Sequence, residues 1–185
     1  MTTTPFSQAE LDRALFAACS SSTGGPAVFA LLQAGADPNA EFDDGAGPMS
    51  ALHLASRHSA QHVHFLLQAG ADARRHEATN LGLSCNSVVR TLLVEAGANV
   101  NTTDHRGLTA LMLAAMLNPS AVPDLLKHGA DGSFESHDGR TAAVLCHEPK
   151  IRALLESHAE AKRSAQTLQQ ALGEDPTART ERPRL

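Results

Sequence analysis

One ending recurs along this chain. It reads Leu31-Leu32-Gln-Ala-Gly35-Ala-Asp37, then Leu66-Leu67-Gln-Ala-Gly70-Ala-Asp72. It returns as Leu92-Leu93-Val-Glu-Ala-Gly97-Ala-Asn99 and Leu125-Leu126-Lys-His-Gly129-Ala-Asp131. Self-similarity at a fixed period restricts a chain more than any local propensity, because each unit must bury its apolar face against a copy of itself. The Leu-Leu pairs belong late in a helix, and Gly35, Gly70, Gly97 and Gly129 stop that helix by taking a left-handed conformation after it.

A second motif falls between these endings: Ser50-Ala-Leu-His-Leu-Ala55, Thr79-Asn-Leu-Gly-Leu-Ser84, Thr109-Ala-Leu-Met-Leu-Ala114 and Thr141-Ala-Ala-Val-Leu-Cys146. Ser50, Thr79, Thr109 and Thr141 are suitable N-caps, since a hydroxyl can accept from a free N–H of the first turn. The Leu and Ala residues that follow form the buried face of a short first helix.

These two motifs resemble the T-P-L-H-x-A and L-L-x-x-G-A-D signatures of ankyrin repeats, over roughly four-fifths of the chain with both caps included. The resemblance implies an all-α ankyrin-repeat solenoid of about five helix pairs including caps, with short β-hairpin fingers between the pairs. Its period of about 33 residues is not kept evenly. The glycines of the ending stand 35, 27 and 32 residues apart. The first finger is long, with a flexible Asp43-Asp44-Gly45-Ala46-Gly47-Pro48, and the middle repeat is abbreviated, so the register is expected to depart most over residues 75–95. Only His53 keeps the family histidine, and the family proline is absent throughout.

The expected organisation is a repeat domain over residues 1–158. It has an N-terminal cap at 8–40, repeats near 41–74, 75–103 and 104–135, and a C-terminal cap at 136–158. A helical extension over 159–172 follows, carrying a stripe of Ala161, Ala165, Leu168 and Leu172. Residues 173–185 are expected to be disordered.

Composition narrows the function. The chain is 42% apolar but has no Trp, no Tyr and only 6 Phe. Leu, Ala and Val must therefore fill the core, which suits thin stacked helices better than an aromatic-lined cofactor pocket. Residues 1–148 carry 8 Lys/Arg against 15 Asp/Glu, and residues 149–185 carry 7 against 5. An acidic body repels phosphate backbones, so nucleic acid is not an expected partner. No stretch approaches the ~20 unbroken apolar residues of a membrane helix, and Met1–Ser7 lacks the pattern of a secretion signal. The expected location is cytoplasmic. Cys19, Cys85 and Cys146 form no CxxC pair and read as reduced packing residues.

Catalytic and metal chemistry find no support in spacing. The 10 histidines include His58, His62 and His64, but Ser59 is expected to break the helix between the first two. His62 and His64 should point to different sides, as surface residues on a polar face. Three or four convergent ligands are not in view, and His53 reads as a structural hydrogen-bonding residue. No phosphate loop, paired-glycine fingerprint or serine elbow is present. Neither an enzyme activity, a metal nor a cofactor is expected.

The resemblance instead implies protein binding through a concave face built from finger tips and exposed parts of the first helices. The candidate residues are Phe42, Asp43, Asp44 and Met49 on the first finger and Arg74, Arg75 and His76 on the second. Asp104, His105 and Arg106 follow on the third, and Phe134, His137, Asp138 and Arg140 on the fourth. Arg57, His58 and Met116 join them from the first helices. The expected function is a non-enzymatic adaptor or stoichiometric inhibitor that binds another protein as a monomer. Two alternatives accompany it: an immunity or antitoxin-type inhibitor of an effector enzyme, and a structural unit self-associating through residues 159–172.

Overall fold

A computed structural model describes residues 6–43 and 48–173. Among the described residues ten α-helices pair in sequence. They are α1 (Gln8–Cys19) with α2 (Gly25–Gln33), and α3 (Ala51–His58) with α4 (Ala60–Gln68). Next come α5 (Glu77–Gly82) with α6 (Ser87–Glu95), and α7 (Ala110–Leu117) with α8 (Val122–Lys127). The last pair is α9 (Ala142–Leu145) with α10 (Pro149–Gly173). A 3-10 turn at Pro119–Ala121 leads into α8. The fold is the five-pair helical stack that the repeats predict.

The stack has two rows. The first helices α1, α3, α5, α7 and α9 each pack on the next, and α2, α4 and α6 do the same in a second row. Leu15, Leu52, Leu81 and Leu111 are buried along the first row, and Val28, Leu66, Leu93 and Leu125 along the second. Helix α7 has six consecutive buried residues, Ala110–Ala115, because neighbours cover it on several sides at once. Gly82 allows α5 to approach α7 closely, since a Cβ there would lie 2.7 Å from the Ala110 carbonyl oxygen.

The four repeated glycines take φ of +96° at Gly35, +91° at Gly70, +94° at Gly97 and +86° at Gly129. Each follows the last turn of a second helix, as the sequence requires. Ser59 ends α3 and caps α4, accepting from the His62 N–H, so His58 and His62 do sit on different helices.

The first helices begin less uniformly. Ser50 accepts from the His53 N–H and Thr109 from the Met112 N–H. Thr141 occupies the N-cap position of the four-residue α9 without making the side-chain bond. Thr79, expected as a cap, lies inside α5 instead. That helix starts at Glu77 behind His76, the one described non-glycine residue with positive φ, at 54°. The finger before α5 is too short to fold back and then straighten, so a left-handed residue turns the chain directly into the helix.

The fingers differ for the same reason. The first is a hairpin of β1 (Glu41–Asp43) and β2 (Pro48–Ser50), with Phe42 opposite Met49. The third keeps a single bridge between Thr103 and Thr109. The fourth closes through Ser136 N–H to the Arg140 carbonyl, as the third does through Asp104 N–H to the Leu108 carbonyl. Regular strand pairing in every finger is therefore not found among the described residues.

Helix α10 buries Leu155 and half-buries Ile151, His158, Ala159 and Lys162. Every side chain from Arg163 to Gln170 is exposed. Thus the helix seals the last repeat over its first four turns and then continues beyond it. No described helix is long and apolar enough to cross a membrane.

Candidate functional site

The Gly-Ala-Asp endings position the fingers. In each, the Asp or Asn side chain folds onto a backbone N–H two residues on. Asp37 accepts from Asn39 at 2.8 Å, Asp72 from Arg74 at 3.0 Å, Asn99 from Asn101 at 3.0 Å and Asp131 from Ser133 at 2.9 Å. Such Asx turns set the direction in which the chain leaves the helix.

A second set of bonds ties each turn to the unit before it. Asn39 accepts from the Asp72 N–H (2.8 Å) and donates to the Gly70 carbonyl (3.0 Å). Asn101 does the same for Asp131 (2.8 Å) and Gly129 (3.1 Å). Asp12 accepts from the Asp37 N–H at 2.7 Å. At the abbreviated repeat no finger asparagine is available, and Glu77 replaces it. Its buried carboxylate accepts from the Asn99 N–H (3.0 Å) and the Thr102 hydroxyl (2.5 Å). The fingers therefore form a hydrogen-bonded row before any partner arrives, which lowers the ordering cost of binding.

Between the first three fingers this row leaves a groove of about 610 Å³. Pro48 and Met49 form one end, Arg74, His76 and the first turn of α5 a wall, and Thr102, Thr103, Asp104 and His105 the other wall. His53 contributes from α3. The amide of Asn80 donates to the Arg75 carbonyl (2.8 Å), so its oxygen accepts from His53 Nδ1–H at 3.0 Å. That leaves His53 Nε2 as an acceptor on the neutral ring. Burial pushes the His53 pKa down, with His76 and Arg57 adding to the effect and the Asn80 bond opposing it. Beside the groove Glu41 pairs with Arg75 at 3.0 Å and lies 3.6 Å from the His76 ring.

Of the sequence-predicted residues, Met49, Arg74, His76, Asp104 and His105 converge on this groove. Arg75 stands behind it, bonded to Glu41 and the Asn39 carbonyl. Phe42 packs on Phe16 of α1, ring centroids 4.9 Å apart, so it anchors its finger to the stack. Asp43 is exposed and Asp44 lies outside the described residues. Arg57 and His58 are exposed at the far end of α3, away from its capped first turn.

Met116 is half-buried against the core. Arg106 is exposed, and its carbonyl accepts from the His137 N–H at 3.4 Å. On the fourth finger Phe134 is 39% exposed and Asp138 pairs with Arg140 at 2.8 Å. Sequence reasoning missed Thr79, Thr102 and Thr103, which line the groove. Thr102 and Thr103 stand in the polar run Asn101-Thr-Thr-Asp104, of which only the charged end stood out, and Thr79 stands in the second motif, where its hydroxyl reads as an N-cap.

The nucleophile and ligand candidates are dispersed. Burial pushes the Cys19 thiol up to about 12, and Cys146 is buried as expected of a packing residue. Cys85 is exposed, contrary to that expectation, because it stands at the open link between α5 and α6. Among the histidines expected on the surface, His62 is fully buried, with no hydrogen-bond partner at either ring nitrogen. Among the described residues no group of three or more His, Cys, Asp or Glu is placed to hold a metal ion.

A family model described as ankyrin repeats, in three copies, matches residues 15–104 and 76–165. The chain belongs to the ankyrin-repeat family. Over 127 residues it is 34% identical to Ankyrin repeat and SOCS box protein 6 of Homo sapiens, and equally so to that of Pongo abelii. The match covers 60% of this chain and 30% of the length of each relative. Ankyrin repeats are generic protein–protein interaction modules, and the family is generally non-enzymatic. The Asn39 and Asn101 bonds are how this ankyrin chain keeps its fingers in line.

Proposed function

We propose that this chain is a non-enzymatic adaptor or stoichiometric inhibitor that grips one partner protein along its finger row, with the Met49–His105 groove at the centre. The observation that supports this is the preformed row itself. Cross-repeat bonds hold three fingers around a groove with exposed Arg74, His76 and His105 on its walls. A rigid, polar-rimmed surface of this kind binds by complementarity, with little reordering. The relatives' names add a SOCS box to the repeats, and the reading for this chain concerns the repeats alone.

Photo-crosslinking tests it. A benzoylphenylalanine probe replacing His105 should crosslink a partner in cells, and the same probe replacing the exposed Val88 on α6 should not. Crosslinks through position 88 alone would move the binding face to the second helices and sink the reading.

A second reading has one specific observation behind it. Beyond Lys162 the exposed run of α10 carries Leu168, which is 62% exposed, and two such helices could associate. Light scattering of the full chain beside a chain ending at residue 162 separates the readings. A dimer that becomes a monomer on truncation supports self-association, and a monomer in both removes it.

A further inference from the structure

The front of the stack is built like its interior. Counting back from the helix-ending glycine, Ala27 and Leu31 of α2 hold the places of His62, Val89 and Ala121, and of Leu66, Leu93 and Leu125. Those six residues are all 0% exposed, whereas Ala27 is exposed and Leu31 only half-buried. In α1, Ala14 is exposed before the buried Leu15, but Ala51, Asn80 and Ala110 are buried before Leu52, Leu81 and Leu111. The first pair has a repeat after it and none before it, so these are the positions that a preceding repeat covers. Left open, they line an apolar groove of about 510 Å³ with Phe6, Leu11 and Ala30. Terminal repeats of a solenoid turn a polar face outward, and this one does not. The charged residue of the groove is Glu10, whose Oε2 takes the Ser7 N–H and hydroxyl at 2.8 Å each and leaves Oε1 open.

The other end carries the matching half. Val144 stands three residues after its cap Thr141, where the earlier repeats bury His53 and Met112. His53 is covered from the following repeat, through its bond to Asn80, while Val144 is 64% exposed. Arg152 repeats Arg90. Each lies six residues after the end of the second motif and donates to the carbonyl there, Arg90 to Ser84 at 3.4 Å and Arg152 to Cys146 at 2.6 Å. Arg90 also meets Asp124 of the following repeat at 2.6 Å. Arg152 is exposed and has no ion pair among the described residues. At the front, Ala30 holds the place of Asp124.

From this we infer that copies of this chain stack end to end, the α1–α2 face of one on the α9–α10 end of the next, in the register of the internal repeats. The groove covers Val144, and Glu10 brings a carboxylate to the end whose Arg152 lacks one. A contact between two different faces does not close on itself, so assembly runs past the dimer. The inference goes beyond the finger row and does not depend on it.

Sedimentation of the full chain over a range of concentrations tests this. Wild type should grow beyond a dimer as concentration rises. Ala27→Glu and Val144→Glu each place a charge in the contact at an exposed position, and each alone should weaken association roughly tenfold or more. Mixed together, the two variants retain one intact face each and should form a one-to-one dimer that grows no further. Ala30→Asp supplies the acid that Arg90 finds in Asp124 and should tighten association roughly tenfold. A chain ending at residue 162 should assemble as wild type does, because Val144 and Arg152 remain.

A wild type that stays monomeric at every concentration would overturn the inference. So would a dimer that Val144→Glu leaves intact, which would place the contact between two front faces. Assembly lost on truncation at 162 would assign it to the exposed run of α10 instead. No complex in the mixture, or no gain from Ala30→Asp, would also overturn stacking in the internal register.

Discussion

Helices α4 and α6 each bury an ionisable side chain where the neighbouring repeats bury an aliphatic one, and they handle it in opposite ways. Counting from the caps Ser59 and Asn86, Arg90 of α6 occupies the place that Val63 holds in α4, Val28 in α2 and Val122 in α8. It is 5% exposed. Its Nε donates to Asp124 of α8 at 2.6 Å, and its Nη1 to the Ser84 hydroxyl at 3.0 Å. His62 of α4 occupies the place of Val89 and Ala121, is fully buried, and has neither ring nitrogen partnered. Arg90 cannot shed its charge and so must be paired. His62 can become neutral, and burial pushes its pKa down, helped by nearby His58. A core position tolerates a titratable group either by satisfying it or by discharging it.

The largest effect is expected on the paired side. Asp124→Ala should cost about 3 kcal/mol in urea unfolding, because it leaves the Arg90 charge buried without its carboxylate. Arg90→Val combined with Asp124→Leu copies the apolar pattern of Val63 and Phe65 in α4 and should recover stability to within about 1 kcal/mol of wild type. If the double variant were as unstable as the single one, the pair would be doing more than neutralising itself.

On the unpaired side, His62→Leu should stabilise the chain by about 1 kcal/mol near neutral pH by removing buried unsatisfied nitrogens. It should also flatten the acid limb. A histidine whose folded pKa is depressed leaves the unfolded chain binding more protons. Stability is therefore full above about the ordinary value of 6.5 and is lost as pH falls from there toward the folded pKa. His53 carries the same sign, so part of the slope should remain in the variant. An unchanged slope in His62→Leu would show that His62 is not the titrating group.

Capping offers a finer version of the same contrast. Ser50→Ala should cost about 1 kcal/mol because the hydroxyl is bonded to the His53 N–H. Thr141→Ala, with no such bond, should cost close to nothing by thermal unfolding. Smallest is Lys162→Ala, which removes a partly exposed pair with Asp131 at 2.6 Å and should cost below about 1 kcal/mol. Burial works to raise the Asp131 pKa, but bonds from Lys162 and Ser133 prevail and lower it. Its stabilisation is present above the ordinary value of 3.8 and lost as pH falls through the folded one. The variant should show a smaller loss in that acid range.

The repeat number, the helix pairs and the four left-handed glycines were legible in the sequence, because each is fixed within a few residues. A glycine after Leu-Leu ends a helix wherever the stack lies, and a serine before Ala-Leu caps one. His53 was likewise readable as a bonding residue, although its partner Asn80 lies 27 residues away. What only the tertiary structure decided is the arrangement of side chains from different repeats. It drew five of the predicted binding residues into one groove and added three threonines. It placed Thr79 inside a helix behind His76, and paired Arg90 with a carboxylate 34 residues on. Local motifs set where the chain turns, but burial and pairing depend on the neighbour that packs across the interface, and no single repeat carries that information.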